Sequence, residues 1–170
     1  ANTLRNKLQA LGATVDMTRT EDVILELTDR PTLAHNRGYH LLISIHMDAA
    51  SNSKATGASV HYYSEYGYEA GQLYDRIHAA ETQYGVGTTA AGTPRAEPVR
   101  WGTLYITRMI HDMPAVLIEC GFQTNTTDME CLILPEYQDK LMQAVTDGVI
   151  DYFNSMPANS GARSASVPVA

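Results

Sequence analysis

The sequence predicts an α/β domain with a mostly parallel, twisted sheet and helices on both faces. Three observations carry that reading. Two short continuous apolar runs, Leu41-Leu42-Ile43-Ser44-Ile45 and Pro114-Ala115-Val116-Leu117-Ile118, have the pattern of strands buried on both faces. Segments with helical apolar spacing stand between and around these runs, so strands alternate with helices. The chain has 170 residues, of which 44% are hydrophobic and 18% charged, enough for one domain with its own core.

The elements follow in order. Leu4, Leu8 and Leu11 recur at helical spacing, and Gly12 is placed to end that helix. The helix opens at the first residue with no N-cap signal, so the natural chain is expected to extend upstream. Residues 14–18 alternate, with Val15 and Met17 on one face, and read as a strand. Residues 21–38 read as a polar loop and then a helix ending near Gly38. The run at 41–45 is a buried strand, 51–57 a loop, and 58–63 an alternating strand. Leu73, Ile77, Ala80 and Tyr84 mark one face of a further helix, closed by Gly85. Residues 85–102 are the longest irregular stretch, and such loops in compact domains are often functional. Leu104 and Ile106 suggest a short strand, and 114–118 a buried one. A last helix turns Leu141, Val145, Val149, Ile150 and Phe153 inward. The folded domain is expected over 1–154, with 155–170 a Ser-, Ala- and Pro-rich tail or linker.

The formal net charge of -7 argues against nucleic acid, whose phosphates call for clustered Lys and Arg. No apolar run is long enough to span a bilayer. The two cysteines, Cys120 and Cys131, form no CxxC pair and read as free thiols.

Two polar residues follow the two most apolar strands directly. His46 comes after the run at 41–45, and Glu119 after 114–118. Ligands of open α/β sheets bind beyond the carboxyl ends of the strands. If these strands are parallel, an imidazole and a carboxyl group emerge at one edge. A neutral imidazole is a common zinc ligand, and a carboxylate beside it can act as general base. Taken singly, each residue reads as structural: a hydrogen-bonded His, a capping Glu. His35, His40, His61, His78 and His111 show no ligand spacing with His46 and read as surface or structural. Glu65 and Glu69 follow the strand that ends near Tyr63 and stand within reach of the same edge.

The segment Leu42-Ile43-Ser44-Ile45-His46-Met47-Asp48-Ala49 resembles the ISIHxNA motif of the zinc-dependent N-acetylmuramoyl-L-alanine amidases, the amidase type 3 family. Pro114-Ala115-Val116-Leu117-Ile118-Glu119-Cys120-Gly121-Phe122-Gln123-Thr124-Asn125 resembles the PavLvExGFxsN motif of that family. Thr18-Arg19-Thr20-Glu21-Asp22 is similar to its TRxxD turn, and Leu27-Thr28-Asp29-Arg30 to its LxxR. Residues 34–36 fall at its AN pair, 57–63 at its GxexYY strand and 100–108 at its loop and vLR strand. The matches keep the family's order over roughly residues 18–153.

The resemblance implies a phosphorylase/hydrolase-like fold and a peptidoglycan hydrolase. It would cut the amide between N-acetylmuramic acid and the L-alanine of the stem peptide with a zinc-activated water. It implies one Zn2+, with His46 as a ligand and Glu119 as the catalytic residue. The family's remaining His and Glu ligands belong to an earlier turn and helix start, and are expected upstream of Ala1. Arg108 is a candidate substrate contact or oxyanion donor, Asn125 a shaper of its loop, and Trp101 a loop anchor or sugar platform. The implied partner is peptidoglycan, with no nucleic acid and no membrane span, and the implied state a monomer. The implied location is extracellular, in the cell wall or the periplasm. Two other readings stand beside this one: a non-catalytic or degenerate amidase domain that binds cell wall, and a zinc peptidase of carboxypeptidase type.

Overall fold

The computed structural model describes residues 1–35, 37–63, 71–72, 75–76, 79 and 104–156. Of the helix expected around Leu73 to Tyr84, residues 75–76 and 79 are described and helical, while its apolar positions Leu73, Ile77, Ala80 and Tyr84 lie outside the described residues, as do the irregular stretch 85–102 with Trp101, His78, Glu65, Glu69 and the tail beyond Met156.

Three strands form the sheet among the described residues. They are β1 (Leu42–Asp48), β2 (Ser59–Tyr62) and β3 (Ala115–Phe122), in the order β1-β3-β2. β1 runs parallel to β3, as the two apolar runs predict, but β2 runs antiparallel to it. The sheet is therefore mixed, and the α/β class holds. The reason is chain length. Residues 49–58 join β1 to β2 without a helix, and a parallel crossover needs a dozen or more residues to return to the far end of the sheet.

Alternation on β3 divides the core. Val116 and Ile118, each 0% exposed, face one side with Val60 of β2 and with Ile43 and Ile45 of β1. Helices α1 (Asn2–Ala10) and α5 (Pro135–Ser155) cover that side through Leu4, Leu8, Leu141, Val145, Val149 and Tyr152. Lys7 ties the two helices together by donating to Asp139 at 2.8 Å and Gln143 at 3.0 Å. Ile150 and Phe153 are only half-buried, at the margin of the apolar stripe. On the other side, Ala115 packs with Ile110, Ala34, Leu42 and Met113. That cluster is covered by α2 (Asp29–Ala34) and α3 (Tyr105–Met109), so helices do lie on both faces.

Two strand expectations are corrected. Residues 14–18 are extended but belong to no strand; Val15 packs against the core without a ladder partner among the described residues. Alternation reports which side chains face inward, not whether a neighbouring strand exists to bond the backbone. Leu104 and Ile106 are not in a strand: Leu104 caps α3, and Ile106 and Ile110 are both buried. The spacing of four between those two isoleucines is the helical signal, which the closer pair of Leu104 and Ile106 obscured. The helix expected within 21–38 is confined to α2. A helix not read from the sequence, α4 (Thr126–Leu132), follows β3. Cys120 and Cys131 are free thiols.

The end of β3 is stitched to the loop that leaves β1. Gln123 N–H donates to the Asp48 carbonyl at 2.8 Å, and Ala50 N–H to Thr124 Oγ1 at 3.1 Å. Asn125 caps α4 by accepting from Asp128 N–H, and its Nδ2 donates to the Ser53 carbonyl at 2.8 Å. Asp128 Oδ2 accepts from Gly57 N–H at 2.9 Å and Phe122 N–H at 2.8 Å, while Oδ1 accepts from the Thr56 hydroxyl. Gly121 sits at φ 148°, and a Cβ there would stand 3.3 Å from both Asp128 Oδ2 and Leu132 Cδ1. The backbone thus passes close to this carboxylate where only glycine fits without strain.

Replacing Asp128 with Ala leaves two part-buried N–H groups without their acceptor. The expected cost is about 2–4 kcal/mol of folding stability, read from the urea unfolding midpoint.

Candidate functional site

His46 and Glu119 were expected just beyond the strands. Both lie inside them, as direct register partners on β1 and β3. The ladder Leu42↔Ala115, Ile43↔Val116, Ser44↔Leu117, Ile45↔Ile118, His46↔Glu119 fixes the relation. Because Ile43 and Ile45 face the core beside Val116 and Ile118, Ser44, His46, Leu117 and Glu119 must face the other way. The imidazole and the carboxyl group share one face, near the carboxyl ends of two parallel strands.

β2 completes this face from the other side. Ser59 pairs with Glu119 and His61 with Leu117, while Val60 and Tyr62 turn to the core. One row across the sheet therefore reads His46, Glu119, Ser59, and the next reads Ser44, Leu117, His61. Within β1, Ser44 Oγ hydrogen-bonds His46 Nε2 at 2.7 Å. Within β2, Ser59 Oγ hydrogen-bonds His61 Nε2, also at 2.7 Å. A Ser–His pair thus flanks Glu119 on each side. His61 was read from the sequence as surface or structural. The signal that could have found it is the alternation of 58–63, which puts residues 59 and 61 opposite Val60.

The electrostatics follow from partial burial. Burial pushes Glu119 up from the usual carboxylate range to about 7, with the nearby Asp48 carboxylate adding to the effect. Burial also pushes His46 down, helped by the Arg30 guanidinium. His61 is lowered by burial and partly restored by Asp48. Each shift disfavours the charged form in a half-buried site. Glu119 Oε2 and His61 Nδ1 are buried and have no hydrogen-bond partner among the described residues.

Arg108 lies on α3, which packs on this face of the sheet, and its side chain is exposed. Its guanidinium carbon stands 5.8 Å from the centre of the Tyr105 ring. Asp48, Arg30, Ser44 and Ser59 are further residues of the site that motif spacing alone did not single out as partners of Glu119. Among the described residues, no group of three or more His, Cys, Asp or Glu is arranged to hold a metal ion. His46 by itself suits a metal. It is shifted toward its neutral form, and Ser44 holds one ring nitrogen, as the outer partners of metal-bound histidines do.

A mixed α/β sheet carrying a His/Glu pair near its carboxyl edge defines a candidate hydrolase. The sequence profile of the N-acetylmuramoyl-L-alanine amidases matches residues 1–151, and the chain belongs to that family. It is 30% identical over 153 residues to N-acetylmuramoyl-L-alanine amidase LytC of Bacillus subtilis, a match that covers 90% of this chain and 29% of LytC. It is 28% identical over 164 residues to the germination-specific N-acetylmuramoyl-L-alanine amidase of the same organism, covering 88% of this chain and 66% of that one. The chain thus spans less than two thirds of the length of these relatives. Among solved structures, an N-acetylmuramoyl-L-alanine amidase from Clostridium difficile 630 superposes with a TM-score of 0.76 at 28% identity, covering 91% of this chain and 82% of that one. The CwlD amidase from Clostridioides difficile, solved with the GerS lipoprotein, shares the fold with a TM-score of 0.81 at 24% identity, covering 91% of this chain and 83% of that one.

The raised Glu119 gives a signed pH dependence. The folded state holds this proton up to about pH 7, whereas an unfolded carboxyl loses it near its model value of 4.5. Glu119 therefore contributes stability below pH 4.5 that is lost as pH rises through 7. A full shift of this size is worth about 3 kcal/mol, and about 1–2 kcal/mol once solvent screening at a half-buried site is counted. Glu119→Gln is expected to gain that amount over the parent at pH 8 relative to pH 4, measured by urea unfolding at both values.

Proposed function

We propose that this chain is the catalytic part of a peptidoglycan hydrolase that cleaves the amide between N-acetylmuramic acid and the L-alanine of the stem peptide. The observation that carries the reading is the His46–Glu119 register pair on one face of parallel strands, in a chain of this family.

Glu119 is the general base and acid of the reaction. A carboxyl group raised to about 7 is poised to take a proton near neutral pH and to return it. Its carboxyl group accepts the proton of the attacking water and passes it to the leaving amine. Asp48 keeps the site negative, which strengthens the hold of Glu119 on that proton. Arg108 contacts the substrate from α3. His46 would be one ligand of a zinc ion, its ring held by Ser44 through Nε2. Catalytic zinc takes three protein ligands, and the described residues bring no set of three together. When held there with its further ligands, zinc supplies a Lewis acid toward water and the scissile carbonyl. The domain reaches at least to Met156, since α5 runs to Ser155 and Met156 packs against the core, two residues past the boundary expected from the sequence. The site of action is the cell wall, and no helix among the described residues is long and apolar enough to cross a membrane.

The test is incubation of purified peptidoglycan with the protein, followed by mass spectrometry of the soluble products. Intact stem peptides bearing a free L-alanine amine are expected. Glu119→Gln should lower their release by about 10²–10⁴-fold, and His46→Ala should lower bound zinc as well as turnover. Peptides shortened at the carboxyl end instead would mark a carboxypeptidase and overturn the amidase reading.

A further inference from the structure

We propose that His61, oriented by Ser59, forms a second arm of this site that hydrogen-bonds through Nδ1 to a neutral amide of the substrate's stem peptide. The proposal rests on the amidase reading and adds to it a peptide subsite on β2.

Three observations converge on it. His61 shares the polar face with Glu119, one row back along the adjacent strand. Its Nε2 is engaged by Ser59 Oγ at 2.7 Å, which fixes the ring and leaves Nδ1 as the free atom. Nδ1 is buried and has no hydrogen-bond partner among the described residues, and the same is true of Glu119 Oε2 on the neighbouring strand. A buried polar atom without a partner has lost its bonds to water and gained none in return. Two such atoms on one sheet face leave hydrogen-bonding capacity that a polar occupant would satisfy.

Charge selects the chemistry of that occupant. The Asp48 carboxylate acts on both His61 and Glu119. A ligand carboxylate or phosphate placed here would meet two acidic groups. A neutral amide meets no such repulsion and offers both an N–H and a carbonyl. Nδ1 can serve either, because the orientation of the Ser59 hydroxyl sets which ring nitrogen carries the proton. On a stem peptide, that points to a backbone amide close to the scissile bond.

The test exploits the geometry of two substitutions. An asparagine side chain puts a polar atom where Nδ1 stands, and a glutamine puts one where Nε2 stands. The probe is N-acetylmuramoyl-L-alanyl-D-isoglutamine, titrated into the full chain by calorimetry, with N-acetylmuramic acid alone as the control without peptide. We expect His61→Asn to bind the probe within about twofold of the parent, and His61→Gln to bind about three- to tenfold more weakly. Binding of the control should be alike in all three proteins. If His61 merely holds Ser59 in place, the ranking reverses, because only glutamine keeps that contact. A reversed or flat ranking overturns the proposal. A measurement without substitutions stands beside it: the ¹⁵N resonance of His61 Nδ1 should move on saturation with the probe. An unmoved resonance, or no binding by the parent chain, overturns the subsite too. The amidase reading would then stand or fall separately, on the release of stem peptides from whole peptidoglycan.

Discussion

The parallel ladder between β1 and β3 is the constraint on which the site depends. Its register is set by apolar residues, not by the polar pair it displays. Ile43, Ile45, Val116 and Ile118 all face the side covered by α1 and α5. A slip of one residue would turn that set toward the opposite face, at a cost of several buried aliphatic side chains. His46 and Glu119 are neighbours because their own neighbours in sequence are buried.

The same alternation makes the site electrostatically tense. This sheet face is apolar at its far end, where Ala115, Leu42, Ile110 and Ala34 pack, and at Leu117 between Ser44 and His61. Toward the carboxyl edge the face carries two histidines, two serines and Glu119, only partly shielded from water. Burial pushes the carboxyl group up and the imidazoles down, so the charged form of each is disfavoured. A carboxyl and an imidazole that both favour neutrality near pH 7 suit proton transfer better than an ion pair would, since neither is locked into one state. The strain is held by the surroundings. Asp128 and Asn125 bind the loop after β1 to the end of β3, so the three strands cannot splay where their polar residues meet.

β2 adds what the two motif strands lack. Its antiparallel course follows from the short connection after β1, and that course puts Ser59 level with Glu119 and His61 one row behind it. The result is a row of Ser–His pairs on either side of a single acid. On β1 the pair presents an imidazole level with Glu119. On β2 it presents a hydroxyl, with the imidazole set back. The two sides of the acid are chemically different.

The sequence by itself determined the α/β class, the buried strand β3, the strand β1 that proves only half-buried, and the polar residues near their carboxyl ends. Apolar runs and their alternation are local properties, legible without knowing what packs against them. His46 and Glu119 were found this way, and their motifs pointed to the family. What alternation could not tell is which segments find a backbone partner, so residues 14–18 read as a strand and are not one. Short apolar spacings were ambiguous between helix and strand at 104–110, and packing on β3 decided for the helix. Tertiary structure alone decided the antiparallel place of β2, and with it the meeting of His61 and Ser59 with Glu119. That meeting depends on pairing between residues some sixty positions apart in the chain, and no local pattern of side chains records it.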